Sequence, residues 1–259
     1  MEQRETVLIT GASTGIGFEL AKIFFEKGYD LVLISQNKDR LLKAAKELRT
    51  LSSNFIKIIP KDLSKPTAAQ EIYQEIKRDG INIEVLVNNA GFGTYGLFAD
   101  SKLDEQQQMI EVNIQSLVSL TNLFLPDMIK SKKGKILNVA SIAGFLPGPL
   151  MSVYYASKAF VLSFSKALSN ELEGTGVTLS ALCPGPTATQ FQARAKVEKL
   201  TVFNRGVSSS KQVAKDGYEG LMKGERVIIS GLTNKIQLFF IRFIPTGSLL
   251  KIVRKIQEM

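Results

Sequence analysis

The 259-residue chain contains no histidine, no tryptophan and a single cysteine, Cys183. Without histidine there is no Ser-His-Asp hydrolysis, no His-ligated zinc and no histidine general base. One cysteine cannot close an intrachain disulfide, so nothing points to an oxidising compartment. No secretory signal is expected. The amino terminus, Met-Glu-Gln-Arg-Glu-Thr, is charged and runs straight into an apolar segment, with neither the basic lead nor the apolar stretch of a signal peptide. These absences predict an intracellular, cytoplasmic protein that works without a metal.

What is present fits a folded globular chain: 44% hydrophobic and 22% charged residues. The length suffices for one large α/β domain with a substantial core. The net charge of +9 is unevenly placed, with 13 Lys and Arg against 5 Asp and Glu from Gln192 to Met259. A basic last quarter suggests attraction to something anionic, such as a membrane surface or an acidic substrate. A solvated basic face with no partner is the plain alternative. Nucleic acid is not expected, because aromatic stacking positions and a binding motif are both missing.

Apolar runs alternate with helix-length amphipathic segments. Strands are predicted at Thr6–Thr10, Asp30–Ser35, Phe55–Pro60, Glu84–Asn88, Lys135–Ala140, Val177–Cys183 and Arg226–Ser230. Helices are predicted at about Gly15–Lys27, Asp39–Leu51, Thr67–Arg78, Leu103–Lys130 and Val153–Leu172. Strands of low internal polarity separated by helices imply an α/β, doubly wound, Rossmann-type fold: a seven-stranded parallel sheet with helices on both faces. No linker or repeat divides residues 1–259, which read as one domain. The irregular stretch 187–210 follows strand six, where it would cover a ligand at the carboxyl ends of the strands.

Three features carry chemistry. The first strand ends in Thr10-Gly-Ala-Ser-Thr-Gly-Ile-Gly17, whose glycines allow a tight turn and close approach of a pyrophosphate to a helix amino terminus. The spacing differs from the commoner Gly-x-Gly-x-x-Gly, and alone it is a weak signal. Second, Tyr154 and Lys158 stand four apart, on one helix face, so an ammonium beside the phenol is expected to lower its pKa. A proton donor tuned toward neutrality is what carbonyl reduction requires. Third, Ser141 lies thirteen residues before Tyr154, and Asn88-Asn-Ala-Gly91, Asn113 and Pro184-Gly-Pro-Thr-Ala-Thr189 fall near predicted strand ends or in the long helix.

Taken together these residues resemble the short-chain dehydrogenase/reductase family, from about Thr6 to Ser230. The stretches at Asn88–Gly96 and Cys183–Thr187 are similar to a bacterial-type carbonyl reductase subgroup. The resemblance implies an NAD(P)-dependent oxidoreductase interconverting a ketone or aldehyde and an alcohol. Tyr154 would act as general acid/base, Lys158 would lower its pKa and bind the nicotinamide ribose, and Ser141 would hold the substrate oxygen. Asn113 would fix a relay water through its backbone. Cofactor contacts would come from Gly11, Ser13, Thr14, Gly15, Ile16 and Gly17 in the turn, and from Gln36, Asn37, Lys38 and Arg40 after strand two. Asp62 and Leu63 would contact adenine, and Asn89, Ala90 and Gly91 the adenosine ribose. Pro184, Gly185, Thr187 and Thr189 would bind the carboxamide. Family members are frequently dimers or tetramers, so a homo-oligomer is expected.

Duller roles exist for single residues. Ser141 fits a turn or cap, Asn113 a solvent-facing helix position, and Tyr155 simple packing. Neither Ser35 nor Gln36 is acidic, so the ribose-gripping carboxylate of an NAD site is missing. Lys38 and Arg40 are left to reach a 2′-phosphate, so NADP is favoured, with NAD as the alternative. The tail, about 234–259, mixes apolar and basic residues, is interrupted by Arg242 and Pro245, and is too short to span a bilayer. Packing within the protein or an oligomer is ranked above peripheral membrane contact. With the lid, the tail also suggests a lipid-like substrate. Two rivals remain: a membrane-peripheral nucleotide sensor without turnover, and an epimerase or dehydratase with tightly held NAD.

Overall fold

Strands whose side chains are apolar on both faces can be satisfied only inside a covered sheet. Thr6–Thr10 (β1) and Val85–Asn88 (β4) are buried at every position. Asp30–Ser35 (β2), Ile56–Pro60 (β3), Gly134–Val139 (β5), Val177–Cys183 (β6) and Val227–Ile229 (β9) complete the sheet. Thr187–Ala188 (β7) and Ser208–Ser209 (β8) form a separate two-residue pair. The computed structural model describes residues 4–195 and 207–258. All seven long strands pair in parallel in the order β3-β2-β1-β4-β5-β6-β9, the doubly wound sheet expected from the sequence. The order reverses between β1 and β4, which opens a crevice at their carboxyl ends.

Helical periodicity decides what covers each face. On one side Gly15–Glu26 (α1), Lys38–Leu48 (α2) and Ser210–Met222 (α8) bury Leu20, Phe24, Leu41, Leu48, Val213 and Leu221 against the sheet. On the other, Ala68–Arg78 (α3) presents Ala68, Ile72 and Ile76 one turn apart. Ser116–Ser131 (α5) and Ser152–Glu171 (α6) add Leu120, Phe124, Val161 and Leu162. Each fully buried Leu, Ile or Phe contributes about 1.5–3 kcal/mol.

Two features depart from the sequence reading. The helix expected over Leu103–Lys130 is interrupted: Leu103–Ile110 (α4) passes through a π-helical turn at Glu111–Gln115 before α5 begins. Such widened turns free backbone groups and cluster at functional sites, and here the turn carries Asn113. Helix α8 also occupies a stretch for which the sequence pattern gives no element. Its first turn is secured by Ser209, whose hydroxyl accepts from the Gln212 N–H at 3.1 Å.

Of the expected lid, β7, Phe191–Ala195 (α7) and β8 are described, and residues 196–206 lie outside the described residues. The tail forms two helices, Leu232–Ile241 (α9) and Thr246–Glu258 (α10). Among the described residues no helix is long and apolar enough to cross a membrane.

Candidate active site

The turn after β1 is shaped by glycine geometry. Gly11 and Gly15 have φ of +66° and +60°, a region that side chains enter only at a cost. Gly17 has ordinary φ, but an added Cβ would lie 2.4 Å from Asn89 Nδ2 and 2.5 Å from the Gly11 carbonyl oxygen. Helix α1 therefore packs directly on the turn. It starts with no side-chain cap and no acidic residue in its first turn, so its free N–H groups and positive end favour an anion. Asn89 staples this region: its Nδ2 donates to the carbonyls of Thr10 at 2.8 Å and Gly11 at 3.3 Å. The backbone N–H groups of Asn89 and Ala90 both donate to Thr10 Oγ1 at 3.0 Å.

From this turn a cleft of about 1420 Å³ runs along the carboxyl ends of the strands. Its wall includes Gly11, Ser13, Thr14, Gly15, Ile16, Gln36, Asn37, Arg40, Asp62, Leu63, Asn89, Ala90 and Gly91. It continues to Ser141, Tyr154, Lys158, Pro184, Gly185, Thr187 and Thr189. Three expected residues do not border it. Gly17 lies beneath the turn, Asn113 lies behind the cleft, and Lys38 opens α2 facing solvent. Lys38 is thus not part of the cleft lining, whereas Arg40 on the same first turn of α2 is.

The residues expected to act in catalysis come from three elements. Ser141 caps the short 3₁₀ turn Ile142–Phe145: its oxygen accepts from the Ala143 N–H at 3.1 Å, and its hydroxyl reaches the Pro184 carbonyl at 3.4 Å. It also shares a hydrogen bond with the Tyr154 side chain, so capping does not keep it from the phenol. Tyr154 is half-buried in the cleft wall, with its ring 5.1 Å from that of Phe191. Tyr155 also borders the cleft, and its hydroxyl accepts from Gln257 Nε2 at 2.8 Å.

The electrostatics differ from the expectation. Burial among apolar groups pushes the Tyr154 phenol well above its ordinary value, and the Ser141 hydrogen bond only partly offsets this. Lys158 does not reverse it. That side chain is 5% exposed, its Nζ donates to the Val139 carbonyl at 2.8 Å, and it sits 5.9 Å from the Tyr154 ring centre. Burial lowers its own pKa from 10.5 to about 8. A four-residue spacing puts two side chains on one helix face without making the ammonium a partner of the phenol. The protein alone thus presents a protonated phenol and a lysine poised near neutrality.

Asn113 is buried rather than solvent-facing. Its Nδ2 donates to the Phe92 carbonyl at 2.9 Å and to Ser157 Oγ at 3.0 Å, and its Oδ1 accepts from the Phe92 N–H at 3.0 Å. A Cβ on Gly91 would stand 3.1 Å from Asn113 Oδ1 and 3.3 Å from Lys158 Nζ. Glycine therefore lets the strand-four turn, the π-helical turn and the lysine meet at one point.

At the far end of the crevice Asn37 caps α2, its Oδ1 accepting from the Arg40 N–H at 2.9 Å. Burial would raise the Asp62 pKa, but hydrogen bonds from Ser64 and the charge of Lys65 outweigh it and hold the carboxyl below its usual range. Arg40 borders the cleft and donates to Gln190 Oε1 at 2.6 Å; among the described residues no carboxylate pairs with it. Lys61 also borders the cleft, a residue that strand-end reasoning missed, but its Nζ is held 2.7 Å from Glu71 Oε2.

The larger omission is the roof. Leu238, Phe240, Ile241 and Ile244, with Leu249, Ile252, Val253 and Ile256 of α10, line the same cleft. Gln257 ties α10 down: its carbonyl accepts from Tyr95 Oη at 2.7 Å while its amide reaches Tyr155. The apolar spacing at 249, 252, 253 and 256 marks one helix face in the sequence, but only the fold shows that this face meets the site.

The glycine turn, the uncapped start of α1 and the Arg40 guanidinium, which no described carboxylate neutralises, fit an anionic dinucleotide; among the described residues no group of His, Cys, Asp and Glu could hold a metal. Residues 5–199 match the family model described as short chain dehydrogenase. The chain is 39% identical over 240 residues to 17-beta-hydroxysteroid dehydrogenase type 3 of Mus musculus, covering 88% of this chain and 75% of that protein. It is 34% identical over 203 residues to the very-long-chain 3-oxoacyl-CoA reductase of Bos taurus, covering 76% of this chain and 63% of the bovine protein. A short-chain dehydrogenase from Sphingobium yanoikuyae, solved in complex with NADPH, superimposes with a TM-score of 0.82 at 31% identity, covering 93% and 96% of the two chains. The turn, the Ser-Tyr-Lys set and these likenesses agree: the chain belongs to the short-chain dehydrogenase family of nicotinamide-dependent oxidoreductases.

Proposed function

We propose that the protein reduces a ketone on an extended apolar molecule, such as a 3-oxoacyl or steroid-like compound, with NADPH as the preferred cofactor. The observation that carries this reading is the single cleft with a glycine turn at one end, Ser141, Tyr154 and Lys158 in its wall, and an apolar roof from α9 and α10. A 3-oxoacyl-CoA reductase and a hydroxysteroid dehydrogenase among the relatives support an apolar ketone.

When bound, the dinucleotide would supply a hydride to the carbonyl carbon. Its pyrophosphate would rest on the turn of Gly11, Ser13, Gly15 and Ile16 at the start of α1. Ser141 would orient the carbonyl oxygen, and Tyr154, protonated throughout the neutral range, would deliver its proton to that oxygen. Lys158, with a pKa of about 8, would return a proton to Tyr154. The π-helical turn at Asn113 would leave the backbone group that links Lys158 to water. Arg40 would meet the 2′-phosphate by exchanging its neutral Gln190 partner, which favours NADP over NAD.

The test is loss of NADPH absorbance with medium-chain 3-oxoacyl thioesters and steroid ketones. Tyr154→Phe should lower kcat at least about a hundredfold while NADPH fluorescence titration shows retained binding. NADPH should bind more tightly than NADH at low salt, and Arg40→Gln should erase the difference. Full activity in the phenylalanine variant would overturn the assignment of the proton donor.

A further inference from the structure

The cleft accounts for only part of the apolar surface of the two carboxyl-terminal helices. Phe239, Phe240 and Phe243 are 51%, 61% and 69% exposed. Phe239 meets each of the other two rings edge-on, at 5.5 Å and 5.6 Å. Leu232 and Ile236 extend the exposed apolar surface along α9. Soluble monomers rarely leave such a contiguous aromatic patch in water without a partner.

The charge along these two helices is predominantly positive. From residue 231 to 258 there are five cations, Lys235, Arg242, Lys251, Arg254 and Lys255, against the single acid Glu258. The Arg242 guanidinium lies 5.1 Å over the Phe239 ring, so a cation and an apolar anchor share one spot. A second copy of the chain is a poor occupant, because a two-fold interface would set this basic surface against itself. An acidic headgroup layer over hydrocarbon supplies both complements at once: anions for the cations and an apolar phase for the rings.

We propose that α9 and the adjoining turn to α10 dock on an anionic phospholipid surface. Phe239, Phe240 and Phe243 enter the interface while Lys235 and Arg242 contact headgroups. Ile236 and Phe240 both project into solvent and border the cleft, so docking places the cleft mouth at the bilayer, where an apolar ketone concentrates. The docking goes beyond the enzymatic reading and stands whether or not any ketone is turned over.

The full-length protein is mixed with phosphatidylcholine vesicles with and without phosphatidylserine, and the vesicles are sedimented. Binding should be at least about tenfold stronger with phosphatidylserine. Lys235→Gln/Arg242→Gln should weaken it about fivefold per charge removed. Phe239→Ser/Phe243→Ser should abolish pelleting while NADPH binding and thermal unfolding stay unchanged. Because the chain has no tryptophan, Phe243→Trp provides a single reporter. Its emission should shift to the blue on phosphatidylserine vesicles and be quenched by brominated lipid. Equal pelleting with neutral vesicles, or a reporter that vesicles do not move, overturns the proposal. So does a dimer seen by light scattering that the Phe239→Ser/Phe243→Ser change dissociates while no protein pellets with lipid.

Discussion

Replacing Lys158 by methionine should make the protein more stable at neutral pH and less stable in alkali. The side chain is 5% exposed and its pKa falls from 10.5 to about 8 on folding, a difference corresponding to about 3 kcal/mol. Below pH 8 the folded and unfolded chains both carry the proton, and the folded state bears the whole desolvation cost. Between pH 8 and 10.5 the folded chain gives up its proton first. The unfolded chain then binds more protons, so stability rises with pH until the penalty is gone. Methionine fills a similar volume without the charge, but it forfeits the 2.8 Å bond to the Val139 carbonyl, a loss of about 1–2 kcal/mol. The expected net gain at pH 7 is therefore about 1–2 kcal/mol, turning into a loss of similar size above pH 10.5. Urea unfolding of both proteins at pH 7 and at pH 10.5 or above, without cofactor, reads this directly. A variant that is less stable at pH 7, or a difference that ignores pH, would refute a lysine whose charge is suppressed by burial.

Three other substitutions separate geometry from chemistry. Gly17→Ala meets backbone at 2.5 Å and should cost about 1–3 kcal/mol of stability together with most NADPH affinity. Gly28→Ala, at φ +94° with open space around it, should cost about 1–2 kcal/mol and leave NADPH titration unchanged. Asn113→Ala removes three buried hydrogen bonds and should lower stability by about 2–4 kcal/mol in thermal or urea unfolding.

Local pattern determined the sheet, the glycine turn and the identity of the chemical groups, because these depend on periods and spacings confined to a few residues. Strands such as Asp30–Ser35 and Val85–Asn88 hold continuous apolar runs, and such runs have few ways to satisfy their surface. Gly11 and Gly15 were legible for the same reason, since a tight turn before a helix needs φ values that other residues avoid. Tertiary structure decided the rest. The environments of Tyr154 and Lys158 depend on what packs around them, so burial outweighed the attraction that a four-residue spacing suggested. The burial of Asn113 depends on Phe92 and Ser157, partners far away in sequence that no local pattern points to. The roof of the cleft was invisible as a roof, because an amphipathic helix announces its apolar face but not what that face will cover. Sequence thus determined which groups the protein carries, and long-range packing determined which of them meet, in what protonation state, and beneath which helices.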